Sequence, residues 1–372
     1  MNDGNSLSHR LTAKPLQPWS VGGFFFTALL LYSLPLAVNH PPASNNVDRF
    51  FLAMPWRDET TYVGHGLGFS VTIPEQSALA LVTAIMVMAC SMAILARHWF
   101  ASPTYTQCAI LLPLWYNPLY LQVMSTYQGA LPVSIGIALS LLMVCHRHRV
   151  GLVYWWGLPT IVVAAVMSIH PLLLAVFFGV ACVDVLQAAH RQPASRRVFE
   201  LAMHHLKVGI GASLLYLVCT HLSAIPGQTG LGWPFLADGY RHLLFLAREA
   251  SLHLSPLNAG VAIAVLAAAA AGWGLIARCA RRGPYTPGAL RLHIGLCLAC
   301  IAGLCLCFGC PLLASSNAEG ALEANAWLGS GPLLVALLYL AYVFLIQMKH
   351  AYALLISVPL MCLLTFAFGY GR

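Results

Sequence analysis

The chain has 372 residues, of which 59% are hydrophobic and only 8% are charged. Mean hydropathy is +0.77, and no polar stretch is long enough to fold alone, so the composition excludes an ordinary soluble domain. The formal net charge of +8 does not indicate a nucleic-acid partner, because the basic residues are spread over short loops, as membrane insertion alone requires.

Apolar runs, each of about 20 residues, recur along the whole chain and are predicted to cross the bilayer as α-helices. We therefore predict an all-α, polytopic transmembrane bundle in which residues 1–372 form a single integral membrane domain. The first run follows a long polar leader and has span length, so it is predicted to stay as an uncleaved anchor. The eleven predicted spans are 20–38, 77–96, 106–124, 129–145, 151–169, 172–187, 208–225, 257–277, 292–313, 331–348 and 352–370.

The charged residues between these runs predict the orientation. With a cytoplasmic N-terminus, 14 of the 19 Lys and Arg residues fall on the cytoplasmic side, and 8 of the 11 acids fall outside. This is the positive-inside bias, and it predicts a C-terminus on the outside. It also predicts a basic cytoplasmic loop over 190–207 and an acidic outer loop over 314–330.

Acidic residues are nearly absent from the predicted spans. Asp184 lies within a turn of the cytoplasmic end of the sixth span, where it is predicted to reach the interface and to have a structural role. Ion-coupled transporters usually need buried acids or broken helices at mid-depth. Since the polar residues are concentrated in the outer loops, the sequence favours an enzyme at the outer surface over a carrier.

The first outer loop, 39–76, contains Asp58-Glu59, the sole adjacent pair of acids in the chain. A carboxylate held at a membrane surface can act as a general base on a hydroxyl. The alternative is a solvated loop whose acids only mark the outside. In the same loop, Arg49–Met54 has an apolar body flanked by charge and predicts an interfacial helix.

The fourth outer loop, 227–255, predicts a second interfacial helix over Asp238–Glu249, with Asp238 as its N-cap. Arg241 and Arg248 lie seven residues apart, on one face of that helix, so both are candidates to bind a lipid phosphate. The alternative is that each only extends to anionic headgroups.

The pattern P-W-x-D-E-x-x-Y over 55–62 resembles the C-type (GT-C) membrane glycosyltransferases, which include protein O-mannosyltransferases, aminoarabinose transferases and phage-type O-antigen glucosyltransferases. Residues 114–121, followed by 129–133, are similar to the third and fourth spans of that group. The turn Ser168–Pro171 is similar to a polar-Pro turn of the phage-type enzymes. The resemblance covers about the first half of the chain.

The resemblance implies transfer of a sugar from a polyprenyl-phosphate donor to an acceptor hydroxyl on an envelope glycan, lipid or protein, on the outer face of a cell membrane such as the bacterial inner membrane. Asp58 is then the base, Glu59 its partner or an acceptor ligand, and Asp48 the alternative base. No cofactor is required by the sequence, although some relatives use a divalent metal. The substrate-binding candidates are Arg57, Tyr62, His65, His170, Arg241 and Arg248.

Two alternatives stay open. Many relatives carry an acid in the outer turn between spans three and four, where this chain has Thr126-Tyr127-Gln128-Gly129. That departure is compatible with a non-catalytic membrane subunit built on the same scaffold. The other alternative is a transporter of a lipid-linked sugar or small molecule, which requires a polar path through the membrane.

Overall fold

The computed structural model describes residues 15–39, 78–115, 130–146, 153–169, 173–191, 196–223, 256–282, 287–314 and 319–360. Throughout these ranges the regular structure is helical, without strands. A 3₁₀ turn covers Leu112–Leu114, a π-helical turn covers Val153–Gly157, and residues 352–360 contain a last helical stretch. The helices are α1 Pro18–Asn39, α2 Ala78–Trp99, α3 Tyr105–Leu111, α4 Ala130–Cys145, α5 Leu158–Ile169, α6 Leu173–Arg191, α7 Arg196–Ser223, α8 Pro256–Arg282, α9 Pro287–Ala314 and α10 Glu319–Gln347.

The predicted all-α class is confirmed for the described residues, and each of the eleven predicted spans contains a described helix. Five helices, α2, α6, α7, α9 and α10, are long and apolar enough to cross a membrane by length and composition. Shorter apolar stretches lie in α3, α4, α5 and α8. The architecture is therefore a helical bundle with the composition of a membrane protein.

Two predicted loops are wrong. Helix α7 begins at Arg196 and α10 at Glu319, so only residues 192–195 and 315–318 separate these helices from their predecessors. Helix α7 therefore begins before its apolar run and includes the charged residues of 196–207. An α-helix that leaves the membrane can continue in the polar surroundings. In the first turns of α7, Arg196 Nε lies 2.8 Å from Glu200 Oε1, an i,i+4 pair of the kind that supports a helix.

Contacts between helix termini show that several helices meet at one end of the bundle. The Leu16 backbone N–H donates to the Pro103 carbonyl at 2.9 Å, which places the start of α1 beside the α2–α3 turn. His190, near the end of α6, is hydrogen-bonded to Tyr339 of α10 at 2.8 Å. We call this the basic end, after Arg97, Arg191 and Arg196 at the termini of α2, α6 and α7.

The remaining contacts give the direction of the other helices. A Cβ at Gly136, in the middle of α4, would lie 2.5 Å from Leu173 at the start of α6, so this contact lies towards the opposite end. Helix α9 runs antiparallel to α6, since Cys300 contacts Cys182 whereas Cys307 lies nearer Gly179. Helix α8 must end at the basic end, because the four residues 283–286 span at most about 18 Å before α9 begins there.

The described helix termini that flank 40–77, 170–172 and 224–255 therefore all lie at the opposite end. Helices α1, α5 and α7 run away from the basic end, and α2, α6 and α8 run towards it. The helices before and after each of these segments thus have their flanking termini at the same end of the bundle.

Small residues allow close helix packing, as is usual in membrane bundles. A Cβ at Gly272 of α8 would overlap the Leu340 carbonyl oxygen of α10, and one at Gly179 of α6 would lie 2.6 Å from Pro332 Cβ. Helix α6 is central and packs against α4, α5, α7, α9 and α10. Helix α7 is peripheral, because 22% of its apolar segment Arg196–Cys219 is buried inside the bundle. For α6, the buried share of Leu173–Arg191 is 67%.

Candidate functional site

The sequence-predicted site residues lie outside the described residues. The structure neither brings these side chains together nor separates them, and the interfacial helices predicted in 39–76 and 227–255 fall in the same segments. What the structure does describe is the set of helix termini around these segments, which share one end of the bundle. The residues concerned are Asp48, Arg57, Asp58, Glu59, Tyr62, His65, His170, Arg241 and Arg248.

The polar site within the described residues is centred on Asp184 of α6. The expectation that Asp184 reaches the interface is wrong, because its side chain is 1% exposed. The indole N–H of Trp99 donates to Asp184 Oδ1 at 3.0 Å. His98 Nε2 lies 3.2 Å from the same oxygen, and His205 Nε2 lies 3.1 Å from Oδ2. One carboxylate thus joins α2, α6 and α7.

A second contact joins α2 to α6 beside this carboxylate. The Trp99 carbonyl, at the C-terminus of α2, accepts hydrogen bonds from the Gln187 amide and the Arg191 guanidinium. A cation at a helix C-terminus complements the helix dipole. The charge of Arg191 is therefore directed at a carbonyl and not at the Asp184 carboxylate.

Further polar contacts at the basic end connect α3 to α10. Thr104 and Gln107 form a reciprocal capping box at the start of α3. The Gln107 side chain accepts from the Thr104 N–H at 2.9 Å and donates to the Tyr342 hydroxyl at 2.9 Å. With the His190–Tyr339 bond, these contacts fix α10 to both α3 and α6.

On α7, a second imidazole, that of His204, lies next to the contacts of Asp184. His204 stacks on Trp155, with 5.2 Å between ring centroids and 11° between ring planes. Trp155 lies in the π-helical turn that precedes α5. The His204 and His205 rings are 5.6 Å apart. Within the part of the chain that the structure describes, neither His204 Nε2 nor His205 Nδ1 has a hydrogen-bond partner, and both atoms are buried. Buried unpaired polar atoms carry a desolvation cost.

This arrangement can bind a proton or stabilise the bundle. No group of three His, Cys, Asp or Glu side chains among the described residues is arranged to hold a metal ion. Asp184 lies seven residues before the end of α6, roughly 10 Å at the rise of an α-helix, and so near one end of the bundle. We call His98, Asp184, His204 and His205 the Asp184 cluster.

Sequence reasoning did not find this cluster, although a signal was present. An acid inside a membrane helix needs a partner, and the predicted orientation puts His98, Asp184 and His205 at the same ends of their spans. The sequence favoured an enzyme over a carrier because the spans lacked buried acids. The burial of Asp184 weakens that argument.

Comparisons of this chain with protein-family profiles, with curated proteins and with solved structures found no match.

Proposed function

We propose that the protein is a membrane glycosyltransferase that moves a sugar from a polyprenyl-phosphate donor to an acceptor hydroxyl on the extracytoplasmic side of a cell membrane. The observation that carries the proposal is the Pro55–Tyr62 pattern, with its acidic pair Asp58-Glu59, between α1 and α2. The proposal includes eleven spans, a cytoplasmic N-terminus and an outer C-terminus, in a membrane such as the bacterial inner membrane.

The arrangement of the described helices supports this proposal. By the positive-inside rule, the basic end would face the cytoplasm. The opposite end would then face outwards, and it receives the helix termini that flank 40–77, 170–172 and 224–255. All the candidate site residues belong to these three segments. A site assembled from several loops at one end of a rigid bundle is a common arrangement for enzymes.

In the proposed reaction, Asp58 accepts the proton of the acceptor hydroxyl while that oxygen attacks the anomeric carbon of the donor sugar. The bond from this carbon to the phosphate oxygen breaks, and polyprenyl phosphate leaves. Glu59 positions the acceptor, and Asp48 is the alternative base. Guanidinium groups stabilise the departing phosphate, for which the candidates are Arg57, Arg241 and Arg248. Tyr62, His65 and His170 complete the set of substrate-binding candidates.

The test is transfer by the purified full-length protein in liposomes that contain labelled polyprenyl-phosphate hexoses and membrane-extracted acceptors. We expect label to move to the acceptor fraction, and Asp58→Asn to lower the rate about 10²- to 10⁴-fold, the usual contribution of a general base. Glu75→Gln is the matched control, because Glu75 is an acid of the same segment without a proposed role. No transfer with any donor, or equal losses in both variants, would contradict the proposal.

The burial of Asp184 favours a second candidate, a transporter of lipid-linked sugars or small molecules. Buried acids in membrane helices mark ion pathways in many transporters. The same liposomes distinguish the two functions, because a transporter moves intact labelled donor across the bilayer and leaves its sugar–phosphate bond unbroken. Loss of that movement in Asp184→Asn, with no transfer by the unmodified protein, would establish the second candidate.

A further inference from the structure

We propose that Asp184, His98 and His205 form a proton-binding site at the basic end, in which His98 carries the bound proton as an imidazolium. His205 is then a neutral donor to the same carboxylate, and the occupied site joins α7 to α2 and α6. The site differs from the proposed catalytic segments, and the inference does not depend on the proposed function.

The first step is charge balance. A buried carboxylate without a compensating charge is strongly unfavourable, and Asp184 is 1% exposed. Among the described residues, the groups that contact its oxygens are the Trp99 indole, which is neutral, and the imidazoles of His98 and His205. One of these imidazoles must therefore carry the positive charge if the carboxylate is ionised.

Among the described residues, the ionisable groups that pair with Asp184 are His98 and His205, and the other titratable groups around α6 lie elsewhere. Arg191 donates to the Trp99 carbonyl, and His190 is bonded to the neutral Tyr339. Helix α5 has no titratable residue between 158 and 169. The titratable groups on the other surrounding helices are Cys90 and Arg97 on α2, Cys145 and the adjacent His146 on α4, Arg196, Arg197, Glu200, His204, Lys207, Tyr216, Cys219 and His221 on α7, Arg291, His293, Cys297, Cys300, Cys305, Cys307 and Cys310 on α9, and Glu319, Glu323, Tyr339 and Tyr342 on α10.

The second step decides which imidazole is charged. An imidazolium donates from both ring nitrogens. His205 Nδ1 is buried and has no partner among the described residues, so an imidazolium there would leave an N–H unsatisfied. The neutral Nε2–H tautomer leaves only a lone pair. The His98 side chain is 14% exposed, against 5% for His205, so water can satisfy its second nitrogen. These contacts assign the proton to His98.

The neighbouring His204 supports a single bound charge. Its ring lies 5.6 Å from His205, and its Nε2 is buried without a partner. A charge on both rings would be repulsive at this distance. At most one of these two rings can therefore be charged, and the buried unpaired nitrogen on each favours the neutral form of both. One added proton, on His98, then balances the one carboxylate.

The third step is the consequence for α7. This helix is peripheral, and its other contacts with the bundle include Gly209 against the Phe178 ring, Gly211 beside Thr160 and the stack of His204 on Trp155. Loss of the proton from His98 leaves Asp184 uncompensated, which favours entry of water and separation of α7 from α6. The site therefore links the proton concentration at the basic end to the position of a helix that reaches the opposite end.

The first test is nitrogen NMR of ¹⁵N-histidine-labelled full-length protein in lipid nanodiscs at neutral pH. We expect an imidazolium signal that disappears in His98→Gln and a neutral Nε2–H signal that disappears in His205→Gln. In Asp184→Asn the His98 signal should become that of a neutral ring. An imidazolium assigned to His205, a neutral His98 in the unmodified protein, or a charged His98 in Asp184→Asn would overturn the assignment.

The second test remains informative if Asp184→Asn fails to fold. Amide hydrogen exchange in the first half of α7 is followed from mildly acidic to alkaline solution and corrected for the intrinsic pH dependence of exchange. We expect faster exchange at alkaline pH in the unmodified protein, and fast, pH-independent exchange in His98→Gln, which keeps a donor but cannot carry charge. His350→Gln, which removes an exposed imidazole after α10, should behave like the unmodified protein. Exchange in α7 that does not change with pH, or keeps its pH dependence in His98→Gln, would overturn the proposal.

Discussion

Acidic side chains occur in different settings at the two ends of the bundle. At the basic end, Asp184 is buried and both of its oxygens contact N–H groups from α2 and α7. At the opposite end, Asp58 and Glu59 belong to the polar segment between α1 and α2. A carboxylate already occupied by the protein's own donors serves the fold or binds a proton. A base for a substrate hydroxyl is therefore better sought in the polar segments.

The largest expected effect concerns which end faces the cell exterior. A cysteine introduced at Thr61, in a cysteine-depleted background, should react fully with a membrane-impermeant maleimide in intact cells. One introduced at Ala194, between α6 and α7, should not react until the cells are opened. The reason is that the basic residues concentrate at the end where α6 and α7 meet. The reverse labelling pattern would put the proposed site on the cytoplasmic side.

A large loss of stability is expected from Asp184→Ala. Removing one partner of a buried charged cluster typically costs about 3–5 kcal/mol, because the remaining groups are left unpaired. The control is Glu200→Gln, whose ion pair with Arg196 is exposed and worth about 0.3–0.5 kcal/mol. Thermal unfolding of both variants in the same detergent checks the difference. Equal unfolding temperatures would mean that the contacts of Asp184 do not stabilise the bundle.

A smaller loss, about 1–3 kcal/mol, is expected from Gly272→Val, because overpacking a close helix contact forces the backbones apart. A Cβ at Gly272 would overlap the Leu340 carbonyl oxygen, whereas a Cβ at Gly274 has nothing within 4 Å. Gly274→Val therefore controls for helix propensity in the same helix. Unfolding of the two variants measures the difference, and equal stabilities would contradict the close approach of α8 and α10.

The positions of the helices followed from the sequence because span-length apolar runs leave few alternatives in a membrane. The run predicted at 20–38 is α1, Pro18–Asn39, and that at 292–313 is α9, Pro287–Ala314. The N-terminus of α7 could not be predicted in this way, because an α-helix can extend beyond the apolar run that identifies it. Its first residues, 196–207, include Arg196, Arg197, Glu200 and Lys207 and are helical.

The Asp184 cluster was harder to predict. In a membrane bundle the lipid-facing and core-facing surfaces are both apolar, so periodicity does not show that Asp184 faces inward. His98 and Asp184 are also 86 positions apart, and the contact depends on the packing of α6 between its neighbours. The segments that contain Asp58, Arg241 and the other candidates lie outside the described residues, and their roles remain predictions from the sequence.

The central claim is that sugar transfer takes place at the opposite end of the bundle, whereas the contacts of Asp184 at the basic end stabilise the fold. The most direct measurement compares Asp58→Asn with Asp184→Asn in one preparation, recording the unfolding temperature and the rate of sugar transfer for each. We predict that Asp58→Asn unfolds like the unmodified protein and transfers sugar about 10²- to 10⁴-fold more slowly, whereas Asp184→Asn unfolds at a lower temperature. Unchanged transfer in Asp58→Asn, together with a stable but inactive Asp184→Asn, would contradict the claim and place the reaction at the basic end.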